Sequence, residues 1–170
     1  PTLMPEQCLR EDYIDVVVLG EGEVTVVELA QAIKSGASFE GVVGIGFTGK
    51  DGTPIINPRR PFIENLDNYT PEWSLVDVER YVRPHFADGH RTLPICTSRG
   101  CPFDCGFCYN KAFNRRRWRA HSPEYVESLV ADLRKRYAID SVLMIDDNFF
   151  ADKKRAFDIA QRINVPYSCD

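Results

Sequence analysis

At 170 residues and a net charge of -4, the chain has length for one ordinary domain or parts of two and no electrostatic reason to bind nucleic acid. Its 44% hydrophobic and 27% charged residues are the balance of a soluble globular protein. No apolar run approaches the ~20 residues of a membrane helix, and no charged-then-apolar leader opens the chain, so the expected compartment is the cytoplasm. Six cysteines could suggest a disulfide scaffold, but that pattern belongs to small, core-poor secreted domains. Here three crowd into residues 101–108 while Cys8, Cys96 and Cys169 are scattered. Reduced thiols fit better, with the three outlying cysteines expected in the core.

In chain order, residues 15–19 (DVVVL) are a continuous apolar run, the pattern of a strand buried on both faces in a parallel sheet. The run ends in Gly20-Glu21-Gly22-Glu23. Thr25 with Glu28 then offers a capping box. Val26, Leu29, Ala30 and Ile33 are spaced to form the buried face of the helix that follows, and Ser35-Gly36 ends it. This strand–glycine loop–helix unit resembles those of doubly wound α/β domains, where ligands sit at the carboxyl ends of strands. Residues 43–57 read as two short strands around Lys50-Asp51-Gly52, a hairpin signal. From Pro58 to Pro84, prolines interleave with Phe62, Tyr69, Trp73 and Tyr81. Such a segment reads as an ordered connector laid against a surface rather than a flexible linker.

A second α/β pattern follows. Residues 92–98 (TLPICTS) form a strand leading into the loop TSRGCPFDCGFCYN, residues 97–110. Ser122-Pro123 is an N-cap followed by proline at the first helical position, and Val126, Leu129, Val130, Leu133 and Tyr137 recur at helical spacing over 123–137. Residues 141–145 (SVLMI) are a buried strand ending in Asp146-Asp147-Asn148. Residues 152–163 form another helix with Phe157, Ala160 and Ile163 inward, and Val165 opens a third strand. Strand, loop, helix, strand, loop, helix, strand predicts a parallel sheet or β/α barrel. In barrels the chemistry sits on the loops after the carboxyl ends of the strands, so the cysteine loop and the Asp146–Asn148 loop are expected to be neighbours. An eight-unit barrel takes roughly 250 residues, far more than this half of the chain, and a fragment is expected.

Cys101, Cys105 and Cys108 stand at spacings of three and two intervening residues, with Gly100, Pro102 and Gly106 bending the chain. Thiolate is the ligand that soft metals and iron–sulfur clusters select. Three ligands rather than four leave a coordination position open, which separates a catalytic metal site from a structural one. A zinc site completed by Cys96, His85, His90 or His121 is the rival reading, although zinc ribbons pair two Cys-x2-Cys knuckles and one is present here. A cluster completed by Cys96 would instead make an electron-transfer or sensing module. The basic run of residues 111–119 (KAFNRRRWR) reads as a solvated or carboxylate-pairing loop.

The triplet, with Phe107 before its last cysteine and a strand before its first, resembles the radical S-adenosylmethionine enzymes, whose motif is Cys-x3-Cys-x-aromatic-Cys. Residues 15–23, the hairpin at Gly44, the stretch from Leu66-Asp67 to Pro71 and Trp73, and the cysteine loop follow one another as in the cobalamin-binding subclass of that family. The resemblance implies an α/β fold: the end of a doubly wound, Rossmann-like cobalamin-binding domain (residues 1–40), a hairpin and linker (41–90), and the first βα units of a partial TIM-type barrel (91–170). It implies a [4Fe–4S] cluster on Cys101, Cys105 and Cys108, and S-adenosylmethionine chelating the fourth iron. One electron would then cleave that cofactor to methionine and a 5′-deoxyadenosyl radical. It further implies contacts to the cofactor from Phe107 and from Asp146, Asp147 and Asn148, and a cobalamin contact at Gly20 and Gly22, where glycine permits close approach. The expected partners are a small-molecule substrate and an electron donor of the flavodoxin or ferredoxin kind. The sequence departs from the family in two places. The Gly-Gly-Glu form of the loop after the second strand is absent, and the Asp-x-His-x-x-Gly element of cobalamin domains, expected upstream of Pro1, is not in this sequence.

Overall fold

The computed structural model describes residues 1–84 and 89–169; His85, one of the candidate zinc partners, lies outside the described residues. The chain divides into two compact units, residues 1–64 and 65–170. The hairpin falls in the first, and the second half of the proline-rich connector in the second.

The first unit opens with a single helical turn, α1 (Pro5–Cys8). Strand β1 (Val16–Val18) pairs antiparallel with β2 (Ile45–Thr48), which pairs antiparallel with β3 (Pro54–Ile56). The apolar run is covered on both faces: Val17 packs with Leu9 and Leu19, and Val16 and Val18 with Ala32, Ile45 and Phe47. Its partner among the described residues is antiparallel, however, because two-sided burial produces the same run whichever way the neighbour points. Helix α2 spans Glu23–Ser35 and ends at Gly36 in the left-handed conformation. It starts two residues before the expected cap. Gly22 occupies the N-cap, Thr25 is buried with its hydroxyl accepting from Arg60 Nε at 3.0 Å, and Glu28 pairs with Arg60. The capping box does not form. The inward stripe is Thr25, Leu29 and Ala32, whereas Val26, Ala30 and Ile33, expected inward, are exposed. The two stripes share a spacing, and Thr25 disguises the one that packs.

In the second unit, short 3₁₀ turns at Leu66–Asn68, Trp73–Leu75 and Val78–Arg80 order the connector. Asn65 and Glu72 cap the first two through side-chain acceptors, and Leu66 and Val78 are buried. Strand β4 (Arg83–Pro84) is antiparallel to β5 (Arg91–Ile95). Strand β5 runs parallel to β8 (Ser141–Met144), and β8 parallel to β9 (Tyr167–Cys169). Between β5 and β8 lie β6 (Ser98–Arg99), α3 (Asn110–Phe113), β7 (Arg119–Ala120) and α4 (Pro123–Tyr137). Helix α5 (Lys153–Arg162) joins β8 to β9. The parallel β-α-β-α-β order is the expected one.

One face of this sheet makes the core. Leu93, Ile95, Val142 and Met144 pack with Val126, Leu129, Val130 and Leu133 of α4 and with Ala156 and Ile159 of α5. Ser122 caps α4 by accepting from Tyr125 N at 3.1 Å. Asp152 caps α5 by accepting from Arg155 N at 3.0 Å. With that cap, Arg155, Ala156 and Ile159 turn inward and Ile163 beyond the helix is buried, while Phe157, expected inward, is exposed and Ala160 half-buried. No helix among the described residues is long and apolar enough to cross a membrane. Ile159→Ala is expected to cost about 2–5 kcal/mol through the cavity it leaves, and Ser122→Ala about 1 kcal/mol through the lost cap. Urea unfolding checks both, and equal losses would contradict this packing.

Candidate functional site

The parallel register sets Ile95 beside Met144, so the segments after β5 and β8 leave the sheet at the same end. Successive residues of an extended chain point to opposite sides, and Asp146 and Asp147 divide accordingly. Asp146 is buried; it accepts from Thr97 N and Thr97 Oγ1, each at 2.6 Å, and from Ser98 Oγ at 2.8 Å. Asp147 is exposed and accepts from Gly100 N at 2.9 Å through one oxygen and from the Tyr109 hydroxyl at 2.9 Å through the other. Asn148 places Nδ2 3.6 Å from Cys101 Sγ, and its carbonyl accepts from Trp118 Nε1 at 3.2 Å. All three acidic-loop residues therefore touch the cysteine loop, Asp146 at its first two residues and Asp147 and Asn148 beside the cysteines.

The base of the cysteine loop is a ribbon of β6 and β7, Ser98 opposite Ala120 and Arg99 opposite Arg119. Gly100 leaves that ribbon with φ +85°, and a Cβ there would stand 2.1 Å from the Arg117 carbonyl oxygen, so only glycine lets the chain pass. None of the six cysteines is in a disulfide; Cys101 and Cys108 are half-buried and Cys105 is exposed. Phe107 is 94% exposed. Asp104, inside the loop, pairs with Lys111 at 2.8 Å and Arg116 at 3.2 Å, and the Lys111 hydrogen bond leads the causes that hold its carboxyl below the usual range. The carboxylate-pairing reading of the basic run is thus observed at two of its residues.

Behind the loop, the buried Arg155 donates to His121 O at 2.8 Å and to Thr97 O at 2.7 Å, with its guanidinium 5.7 Å from the Trp118 ring centre. His121 is buried, stacks on Tyr125 at 4.0 Å between ring centres and shares a 3.0 Å hydrogen bond with Asp67. Burial pushes its imidazole pKa down, against the opposing pull of Asp67. Two of the residues weighed as zinc partners are thus engaged elsewhere: His121 with Asp67, and His90 3.4 Å from Asp140. Cys96, expected in the core with Cys8 and Cys169, is exposed, and the other two are half-buried. Its position just past the end of β5 puts it outside the packed face. Its Sγ nevertheless lies against Ser98 O and Ile145 O, at 3.6 and 3.8 Å, and desolvation there, with Asp146 and Asp147 adding to it, pushes the thiol up to about 11. Desolvation and the bond to Asp147 likewise push the Tyr109 phenol up to about 12.

Among the described residues no group of three or more His, Cys, Asp or Glu stands close enough together to hold a single metal ion. The three loop thiols are therefore not gathered around one ion-sized point, and three unbridged thiols on one bent, solvent-facing loop are a donor set suited to an iron–sulfur cluster. In the first unit, Gly20 has φ +81° and donates its N–H to Thr2 Oγ1 at 3.0 Å, and a Cβ added there would meet nothing within 4 Å. Gly22 heads α2, where a Cβ would meet only ordinary contacts.

Residues 95–166 match the sequence profile of the Radical SAM superfamily. This stretch belongs to that superfamily. Along nearly its whole length the chain is similar to an uncharacterized methyltransferase of Pyrococcus horikoshii, 39% identical over 95% of this chain and 35% of the relative. It is also similar to the anaerobic magnesium-protoporphyrin IX monomethyl ester cyclase of Rubrivivax gelatinosus, 30% identical over 95% of this chain and 29% of that one. Among solved structures, the cobalamin-dependent S-adenosylmethionine radical enzyme OxsB, with aqua-cobalamin and S-adenosylmethionine bound, superposes with a TM-score of 0.74 at 23% identity. That superposition covers 98% of this chain and 24% of OxsB, and it shows a shared α/β fold. The chain spans about a third of the length of these curated relatives.

The radical SAM stretch takes in both loops. Sequence reasoning names the cysteines and the acidic loop but misses Tyr109, Trp118 and Arg155. Tyr109 adjoins the last cysteine and is legible by position, whereas Arg155 lies in a helix, where its spacing gives no sign of burial. Gly100→Ala is expected to abolish iron and sulfide uptake by forcing the loop off the ribbon; normal uptake on anaerobic reconstitution would contradict the close approach to Arg117.

Proposed function

We propose that this chain carries the cluster-binding part of a cobalamin-dependent radical SAM enzyme. The observation that supports it best is the pairing of an open three-cysteine loop with Asp147 and Asn148 from the adjacent parallel strand, inside the stretch that matches the superfamily. On this reading residues 1–40 are the end of a doubly wound cobalamin-binding domain, 41–90 the hairpin and linker, and 91–170 the first units of a TIM-type barrel. Gly20 and Gly22 would lie near cobalamin.

Cys101, Cys105 and Cys108 would hold a [4Fe–4S] cluster, which when bound supplies the single electron for reductive cleavage of S-adenosylmethionine. The protein's own part is to bind and orient. Asp147 offers a carboxylate to the cofactor's ammonium, a charge-assisted contact. Asn148 donates toward Cys101, and a donor to a ligating sulfur tunes the potential of the site. Asp146, Arg155 and the β6–β7 ribbon fix where the loop begins. The reaction class is methylation, oxidation or cyclisation at an unactivated carbon of a small molecule, in the cytoplasm, with the electron delivered by a flavodoxin or ferredoxin. The methyltransferase and cyclase names of the relatives support that range.

The full-length protein, anaerobically reconstituted and reduced, is expected to convert S-adenosylmethionine to 5′-deoxyadenosine and methionine, with about four irons per chain, and to bind cobalt as cobalamin. Cys105→Ala should lose both cluster and cleavage. Zinc without sulfide, or full iron loading and undiminished turnover in Cys105→Ala, would overturn the assignment.

A further inference from the structure

Asp147 does more than face the loop: it ties both ends of it. Gly100, which donates to one oxygen, directly precedes Cys101; Tyr109, which donates to the other, directly follows Cys108. The two donors differ in freedom. Gly100 N–H is locked by its left-handed backbone and by the passing Arg117 carbonyl. Tyr109 is a half-open side chain whose ring rests edge-on against Phe113, 6.0 Å between centres. A carboxylate has about four lone-pair positions, so two remain after these bonds. Because Asp147 is exposed, those two are open to a ligand. With the Gly100 bond alone the carboxylate could still turn about its terminal torsion; the phenol removes that freedom.

We propose that Tyr109 is a positioning residue for S-adenosylmethionine, its hydroxyl orienting the Asp147 carboxylate so that the remaining lone pairs meet the cofactor's ammonium. The inference rests on the radical SAM reading above and adds to it a residue outside the three cysteines and the acidic loop. Its physical content is preorganisation: a carboxylate already held in place loses less freedom when the ammonium arrives. No proton changes hands, since the phenol donates throughout and the ammonium brings only donors.

Tyr109→Phe removes one oxygen and leaves the ring, the Phe113 contact and the Gly100 bond. Reconstituted Tyr109→Phe should therefore keep wild-type iron and sulfide content while its Kd and KM for S-adenosylmethionine rise about five-fold, the cost of immobilising one side chain that the phenol otherwise holds in advance, with kcat within about two-fold. Asp147→Asn, which retains an acceptor for Gly100 but not the charge, should lose more. Adding Tyr109→Phe to Asp147→Asn should then change the Kd little, because the phenol acts through the carboxylate. If the wild type binds and cleaves the cofactor but Tyr109→Phe binds it equally well, the inference fails and the function stands. The same holds if Tyr109→Phe loses iron instead of affinity, or if the two effects add in full. A wild type that carries a cluster and does not bind S-adenosylmethionine overturns both.

Discussion

Two neighbouring carboxylates at the end of β8 point to opposite sides of one chain, and the geometry of the site follows from that division. Asp146 turns into the protein and is satisfied there by Thr97 and Ser98; Asp147 turns out and holds Gly100 and Tyr109. A buried carboxylate is tolerable only when donors replace its water. The three short bonds to Asp146 meet that demand, and in doing so they dock the chain after β5 onto the chain after β8. Where the cysteine loop starts is thus set by the need to satisfy one buried charge. Arg155 reinforces the same junction from behind through Thr97 O and His121 O, carrying a positive charge to a place where Asp146, Asp152 and Asp67 are neighbouring negative ones.

The loop itself is held lightly by comparison. Its thiols face solvent or lie half-covered, Phe107 stands in solvent, and the Asp104 pairs with Lys111 and Arg116 are exposed and weakly worth counting. Fixed ends and a lightly held middle suit the proposed role of this segment, in which the ends would decide where a cluster goes. Arg115 and Arg116, both with positive φ, occupy conformations that non-glycine residues rarely take. They let the chain turn back from α3 to β7 in the space available.

Much of this is legible in the sequence, and the remainder is hidden for physical reasons. The helix at 123–137 is readable because Ser122-Pro123 and a clean apolar stripe agree. The parallel order of β5, β8 and β9 follows from alternation alone, and the neighbouring loops follow from that order. Helix α2 misleads because two stripes of equal spacing compete, and the one that packs begins with a threonine. Phe157 misleads because hydrophobicity says nothing about which of two faces a cap will turn inward. Direction is invisible in DVVVL, since burial on both faces leaves the same residues whether the partner is parallel or antiparallel. At the site, the pattern Cys-x3-Cys-x2-Cys announces itself, yet the division of labour between Asp146 and Asp147 cannot be read from two identical letters side by side. It needs the pleat of the strand and the position of Thr97.

We infer that Cys101, Cys105 and Cys108 hold a cluster with one iron open to S-adenosylmethionine, beside the carboxylate of Asp147. Electron paramagnetic resonance of the reduced, reconstituted protein before and after adding S-adenosylmethionine tests it most directly, because a ligand on the open iron alters the spectrum of the cluster itself. The expected result is a cluster signal whose g-values move on addition of the cofactor. A cluster signal that S-adenosylmethionine leaves unchanged would contradict it, since a closed cluster has no iron to offer.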